Sequence, residues 1–314
     1  MAQQLVQDEI SIGTLRGSTA NALSIVFKDL AKIFPTAYHA DKVYCLLESS
    51  QVRFYKMSGD SAAFFEFAIE KSAFDTYKGM ILTGSDQKFL VSLSDLAKVF
   101  SIKADLLTLT YAGEFSTFTK RLIVKMSYND IPMTKEYRIP IGDAKEDSSS
   151  VFLCKVHEIP LEASCKLEDL STYAFKRGGP VYKKIPGNLT NAGKFFKDAF
   201  TEKKKREHMH TRLETRGSQL LLESFYTDNS IAVPENKLVL DLEESNENIF
   251  ATYSADLAEL FAFVSSPAKL KNVDSLQVEF SLDRPIRLSY SFLDSKFVLT
   301  LLHAPYEKDE KDED

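Results

Sequence analysis

The sequence predicts an α+β fold in which one antiparallel unit is written twice, and three observations carry that expectation. Most of the chain reads as short β-rich runs bounded by Gly, Asn, Asp or Ser, and helical periodicity is confined to four places. The order of strands and helices in the first half then recurs in the second.

In the first half, strands are expected at 9–15, 42–49, 51–57, 62–70, 87–93, 105–112, 120–127 and 135–141. Helices are expected over 19–34 (TANALSIVFKDLAKIF) and 92–101 (SLSDLAKVFS). In the second, strands are expected at 180–186, 209–216, 219–226, 236–243, 248–254, 275–282, 286–292 and 296–302, with helices over 189–205 and 254–266. Each half runs strand, helix, several strands, a short helix and three more strands. The recurring DLAKIF (29–34), DLAKVF (95–100) and DLAELF (256–261) fall on three of these helices. Strand-heavy halves with few helices imply antiparallel sheets with the helices gathered on one face. The expected organisation is a first domain over 1–145, a connector over 146–180 marked by Ser148–Ser150 and Gly178-Gly179-Pro180, a second domain over 181–306, and an acidic tail over 307–314.

With 314 residues and 44% hydrophobic side chains, the chain has material for two cores. It contains no run of about 18 apolar residues, and MAQQLVQDEI has neither a basic nor an apolar leader segment, so a soluble intracellular protein with no membrane partner is expected. Cys45, Cys154 and Cys165 are too scattered for a disulfide framework or a zinc site, which points to a reducing compartment and to no metal or cofactor. The net charge of −6 argues against a polyanionic partner until it is mapped. Segments 143–169 and 307–314 each carry −4, which leaves the body of the chain at +2.

That basic remainder sits on helices. In 19–34, Leu23, Phe27, Leu30 and Phe34 share one side, and Asn21, Ser24, Lys28 and Lys32 the other. In 92–101, Leu96, Val99 and Phe100 form the apolar side and Lys98 projects away. In 189–205, Phe195, Phe196 and Phe200 pack while Lys194, Lys197, Lys203, Lys204, Lys205 and the following Arg206 remain available. The helix over 254–266 departs, with Glu259 where the second helix has Lys98. Taken singly, each such face is an ordinary solvated surface. Three with the same bias suit non-specific contact with a phosphate backbone, which needs charge but no base reading.

No dinucleotide-binding, Walker or nucleophile-elbow pattern is present, and no carboxylate pair stands in a context that indicates acid–base work, so a non-enzymatic role is expected. His208-Met209-His210 is the one metal-like pair, and a surface or turn role is the simpler account of it. The run KKKRE (203–207) reads equally as a nuclear-import signal or as the basic end of a helix.

The order and spacing of three stretches carry a family resemblance over nearly the whole chain. They are VRFYKMSGDS (52–61), VYKKIPGNLTNAGKFFKDAF (181–200), and DRPIRLSYSF (283–292) continuing to KFVLTLLHAPYEKDE (296–310). The layout resembles the DNA sliding clamps of the proliferating cell nuclear antigen (PCNA) type. That resemblance implies two similar clamp domains with sheets outside and four helices on one face, closing as a homotrimeric ring. It implies a polymerase processivity factor acting at sites of DNA replication, nuclear in a eukaryote. The implied partners are double-stranded DNA held non-specifically by its backbone, a DNA polymerase and other replication or repair clients with short clamp-binding peptides, a clamp-loader ATPase, and further copies of itself.

Carried over by position, Lys28, Lys32, Lys98, Lys194 and Lys197 would line the hole, with Lys203, Lys204, Lys205 and Arg206 at its rim. Met57, Pro285, Leu302, Ala304 and Pro305 would form the apolar pocket for client peptides. Head-to-tail edge strands near 117–126 and 226–233 would join the subunits. Two other accounts stay open here: a checkpoint-type clamp subunit that assembles with different subunits, and a two-domain β-rich interaction protein without DNA binding.

Overall fold

The computed structural model describes residues 8–33, 42–57, 63–79, 88–113, 120–143, 209–226, 236–241, 250–254, 273–279 and 286–303. The chain divides into two compact units, Met1–Lys56 with Glu66–Asp147, and Met57–Phe65 with Ser148–Asp314.

In the first half the elements are β1 (Asp8–Arg16), α1 (Gly17–Ile33), β2 (Lys42–Leu47), β3 (Gln51–Met57), β4 (Ala63–Glu70), a single 3-10 turn (Lys71–Ala73), β5 (Thr76–Tyr77), β6 (Lys88–Ser92), α2 (Leu93–Phe100), β7 (Leu106–Gly113), β8 (Lys120–Ser127) and β9 (Thr134–Asp143). Every strand and helix expected here is present with its ends shifted by at most two residues, and the turn and β5 are additional. The hydrogen-bonded order is β4-β3-β2-β6-β9-β8-β7-β1-β5. The pairs that flank β2, β8 and β7 are antiparallel.

α1 forms because apolar residues recur at its 3.6-residue period, and the structure buries the described part of that stripe: Leu23, Phe27 and Leu30 are each 0% exposed, while Phe34 lies outside the described residues. Phe27 is the hub of the core. Its ring centroid lies 5.0 Å from Phe54 of β3, 5.7 Å from Phe67 of β4 and 5.7 Å from Phe100 of α2, the first two in edge-on geometry. One side chain thereby ties both helices to two strands. A void of about 20 Å³ remains nearby, lined wholly by apolar groups, among them Leu23, Cys45, Phe54 and Leu96. Burial pushes the Cys45 thiol far above its ordinary range, so it behaves as a core hydrophobe. At the β2–β3 turn, Arg53 reaches Glu48 and Glu66, and the Tyr77 hydroxyl donates to the Gln51 carbonyl at 2.8 Å.

The second unit contains β10 (Met209–Arg216), β11 (Gln219–Tyr226), β12 (Asn236–Asp241), β13 (Phe250–Ser254), β14 (Val273–Glu279), β15 (Ile286–Phe292) and β16 (Phe297–His303). The first four make a sheet in the order β12-β11-β10-β13, and β14, β15 and β16 form an antiparallel meander. β10 and β11 join through Gly217-Ser218, where Gly217 takes φ +59°, as a two-residue hairpin requires of its first central position. The strand expected at 180–186, the helix at 189–205, the helix at 254–266 beyond Ser254, the connector 146–180 and the tail 307–314 lie outside the described residues. His208 does as well, but His210 is 3% exposed within β10, so its expected surface or turn role is corrected to a buried strand position. Among the described residues no group of three metal-ligating side chains converges.

Replacing Phe27 with Ala removes the ring shared by four elements and is expected to cost about 3–5 kcal/mol, measured as a lower urea midpoint at unchanged slope.

Candidate functional site

The two described helices are held in one place by local chemistry. α1 starts where Gly17 passes the turn before β7. The Gly17 amide donates to the Asp105 carbonyl at 3.0 Å, and a Cβ at this position would stand 1.7 Å from the Ala104 carbonyl oxygen, so glycine is needed for the close approach. α2 starts at Ser92, whose hydroxyl oxygen accepts from the Asp95 amide at 3.0 Å and satisfies one of the otherwise unpaired N-terminal donors. At its far end the Ser101 amide donates to the Ala97 carbonyl at 3.1 Å.

The helices meet at Ser24. Its hydroxyl donates to the Ala97 carbonyl at 2.6 Å and is only 7% exposed. The sequence placed Ser24 on the solvent side with Asn21 and Lys28. That assignment is corrected: Ser24 follows Leu23 around the helix and sits against α2, where the last turn supplies a carbonyl for its hydroxyl. Leu96, Val99 and Phe100 are buried as expected.

Of the expected DNA-facing residues, Lys28 is exposed on α1 and Lys32 lies in the last turn of that helix. The Lys98 side chain on α2 is 76% exposed, and its Nζ stands 3.3 Å from Oδ1 of Asp95, one turn earlier on the same side. The outward side of α2 is therefore a cation–anion pair rather than a bare lysine. Lys194, Lys197, Lys203, Lys204, Lys205, Arg206 and the divergent Glu259 lie outside the described residues. Of the expected pocket residues, Met57 at the end of β3 and Leu302 in β16 belong to the same compact unit and are 4% and 0% exposed. Pro285, Ala304 and Pro305 lie outside the described residues.

The strand edges require a second correction. The expected subunit contact at 117–126 falls largely on β8, which is paired along its length by β7 on one side and β9 on the other and has no free edge to offer. Of the other expected segment, Tyr226 ends β11, where it pairs with Met209 of β10, and 227–233 lie outside the described residues. Among the described residues the open edges are on different strands. β9 pairs with β8 through Thr134–Ile141, whereas β6 reaches only Gly142 and Asp143 on its other side. β12 ends its sheet.

A groove of about 330 Å³ runs beside the open stretch of β9, lined by Asp95, Lys98, Val99 and Ile102 of the α2 region and by Tyr137 and Ile139 of the strand. The large apolar side chains that remain exposed among the described residues are Ile131, Met133 and Val239. The first two directly precede β9 and the third lies within β12. Periodicity gave no sign of these edges, because which strand terminates a sheet is settled by pairing.

No protein-family model and no curated protein matches the chain. Solved structures do. A PCNA2–PCNA3 complex from Sulfolobus tokodaii superposes with a TM-score of 0.63 at 15% identity, covering 94% of this chain and 99% of the other. PCNA from Entamoeba histolytica gives 0.62 at 14% identity over 95% and 98% of the two chains, and PCNA from Thermococcus kodakaraensis gives 0.60 at 14% over 95% and 99%. The chain thus has the PCNA-type clamp fold over almost its entire length.

Ser24→Ala deletes the buried bond that joins the helices and is expected to cost about 1 kcal/mol, read as a lowered thermal midpoint.

Proposed function

We propose that the chain is a non-catalytic subunit of a DNA sliding clamp, a ring that encircles duplex DNA and tethers a DNA polymerase and other replication or repair proteins to it. The observation that carries this reading is the clamp fold spanning 94–95% of the chain. Its domains would be 1–145 and 181–306, joined by the connector 146–180.

The mechanism is topological. Lys28, Lys32 and Lys98 on the helices, with Lys194 and Lys197, would touch phosphates weakly and without sequence preference, so the ring slides while closure prevents its loss. Lys203, Lys204, Lys205 and Arg206 would continue the basic track to the rim. A closed ring must be opened to load, which implies a loader ATPase. On this reading Met57 and Leu302 would floor an apolar client pocket, with Pro285, Ala304 and Pro305 as its edge. Such a clamp works where DNA is replicated, in the nucleus of a eukaryote.

Ring closure needs two complementary surfaces on one chain, and the open edges of β9 and β12 are suited to that task. Among the described residues no second strand pairs with Thr134–Ile141 of β9, and the exposed Ile131, Met133 and Val239 supply apolar area at the same two places. A head-to-tail contact of this kind closes when the rotation per subunit divides the circle. The Sulfolobus structure pairs two different clamp chains, which favours a mixed ring as the second reading.

The purified chain is expected to sediment at three times its 35.4 kDa subunit mass. A single-subunit mass that rises only when a second clamp chain is added selects the mixed ring. Val239→Asp, which puts a charge on the β12 edge, is expected to convert the assembly to single subunits with its melting behaviour otherwise retained.

After loading, retention on closed circular DNA at high salt, and loss upon linearisation, tests the topological mechanism; equal retention on both forms overturns it. Reversing Lys28, Lys32 and Lys98 to Glu is expected to reduce loading and to flatten the salt dependence of binding by about one unit per lost phosphate contact.

A further inference from the structure

We propose that Asp95 weakens the contact between Lys98 and DNA phosphate, so that α2 contributes a contact that is exchanged as the ring moves instead of one that is held. This rests on the DNA reading above and assigns a tuning role to a residue of α2 that the lysine pattern alone does not reveal.

The geometry is simple. Asp95 and Lys98 are three residues apart and share one side of α2, with Oδ1 and Nζ 3.3 Å apart. Asp95 is the fixed partner. Its amide is bonded to the Ser92 hydroxyl, its carboxylate sits in the first turn where the helix N-terminus favours negative charge, and it lines the groove beside Tyr137 and Ile139. Lys98 is the moving partner, at the end of a flexible four-carbon stem that is 76% exposed.

An ion pair this exposed is weak, and it shifts a competing equilibrium by no more than about fivefold. A phosphate can therefore take Lys98 from Asp95, but two costs accompany the exchange. The pair is given up, and a carboxylate is left within a Debye length, about 8–10 Å, of a polyanion. The same face without Asp95 would present one net positive charge; with it, Asp95 and Lys98 sum to zero. On α1, Asp29 follows Lys28 immediately and so does not share its side of the helix, but it precedes Lys32 by three residues, the spacing that Asp95 and Lys98 have on α2.

The test uses the assembled full-length chain and duplex DNA of unrelated sequence, with affinity measured across a salt series. Asp95→Asn is expected to bind about two- to fivefold more tightly at low salt, with a salt slope steeper by up to about 0.9 and convergence with the parent at high salt. In a Lys98→Gln background the same substitution is expected to give a smaller gain, since only the repulsion between the carboxylate and the polyanion is then relieved and no lysine is released. An equal gain in both backgrounds overturns the assignment by making Asp95 a general surface charge.

No gain from Asp95→Asn, while reversal of Lys28 and Lys32 weakens binding, also overturns it and leaves the DNA reading intact. No response to either set removes the DNA reading itself. Asp95→Ser, which retains a first-turn helix residue, repeats the measurement if the Asn variant melts early.

Discussion

Everything that the described helices present outward depends on how α1 is clamped inward. Phe27 meets β3, β4 and α2 within 6 Å, and Ser24 binds the last turn of α2 through a single buried hydroxyl. The aromatic contacts supply most of the energy, since area buried by large rings outweighs one hydrogen bond. The hydroxyl supplies orientation: it forces Ala97 to face α1, and the rotation of α2 then fixes where Asp95 and Lys98 point. The proposed contact of these lysines with a phosphate backbone would need this, because charges on a loosely rotating helix would present no consistent surface.

The sheet around this seam is unusual in how little of it is left bare. β4 buries every residue from Ala63 to Ile69, both faces included, whereas an ordinary antiparallel strand alternates buried and solvated positions. The AAFFEFAIE stretch reads as a strand, but its double-sided burial follows from what covers it. Glu66 is tolerated inside this run because Arg53, itself only 14% exposed at its side chain, reaches its carboxylate. β9 is the opposite case, with Thr134, Lys135, Glu136, Arg138 and Pro140 all exposed.

What was legible in the sequence follows from which physical signal each feature leaves there. The β-rich runs of β2, β3, β7 and β8 and the 3.6 period of α1 and α2 follow from burial, so strand and helix positions in the first half could be read to within two residues. The exposure of Lys28 and Lys98 followed from the same periodicity. Ser24 could not be read, because a hydroxyl on the boundary of an apolar stripe looks the same whether it meets water or a neighbouring carbonyl. The edge strands were misplaced for a related reason. β8 and β9 both alternate, and only the hydrogen-bonding order reveals that β8 is enclosed and β9 is not. His210 likewise sits in a stretch whose polarity gave no indication that the strand would be buried there.

The makeup of β9 carries a consequence for what can pair with its edge. A long bare strand is a template on which any extended polypeptide can dock, and proteins that keep one usually load it with charge and proline. Lys135, Glu136 and Arg138 put alternating signs along this edge, and Pro140 lacks the amide that a docking strand would seek. An incoming segment must accommodate these charges, of which Arg138 and Glu136 already pair at 2.7 Å, or bury them. The strand thus discourages indiscriminate edge-to-edge pairing, so a guard against clumping is written into the same ten residues that leave this edge uncovered by any other described strand.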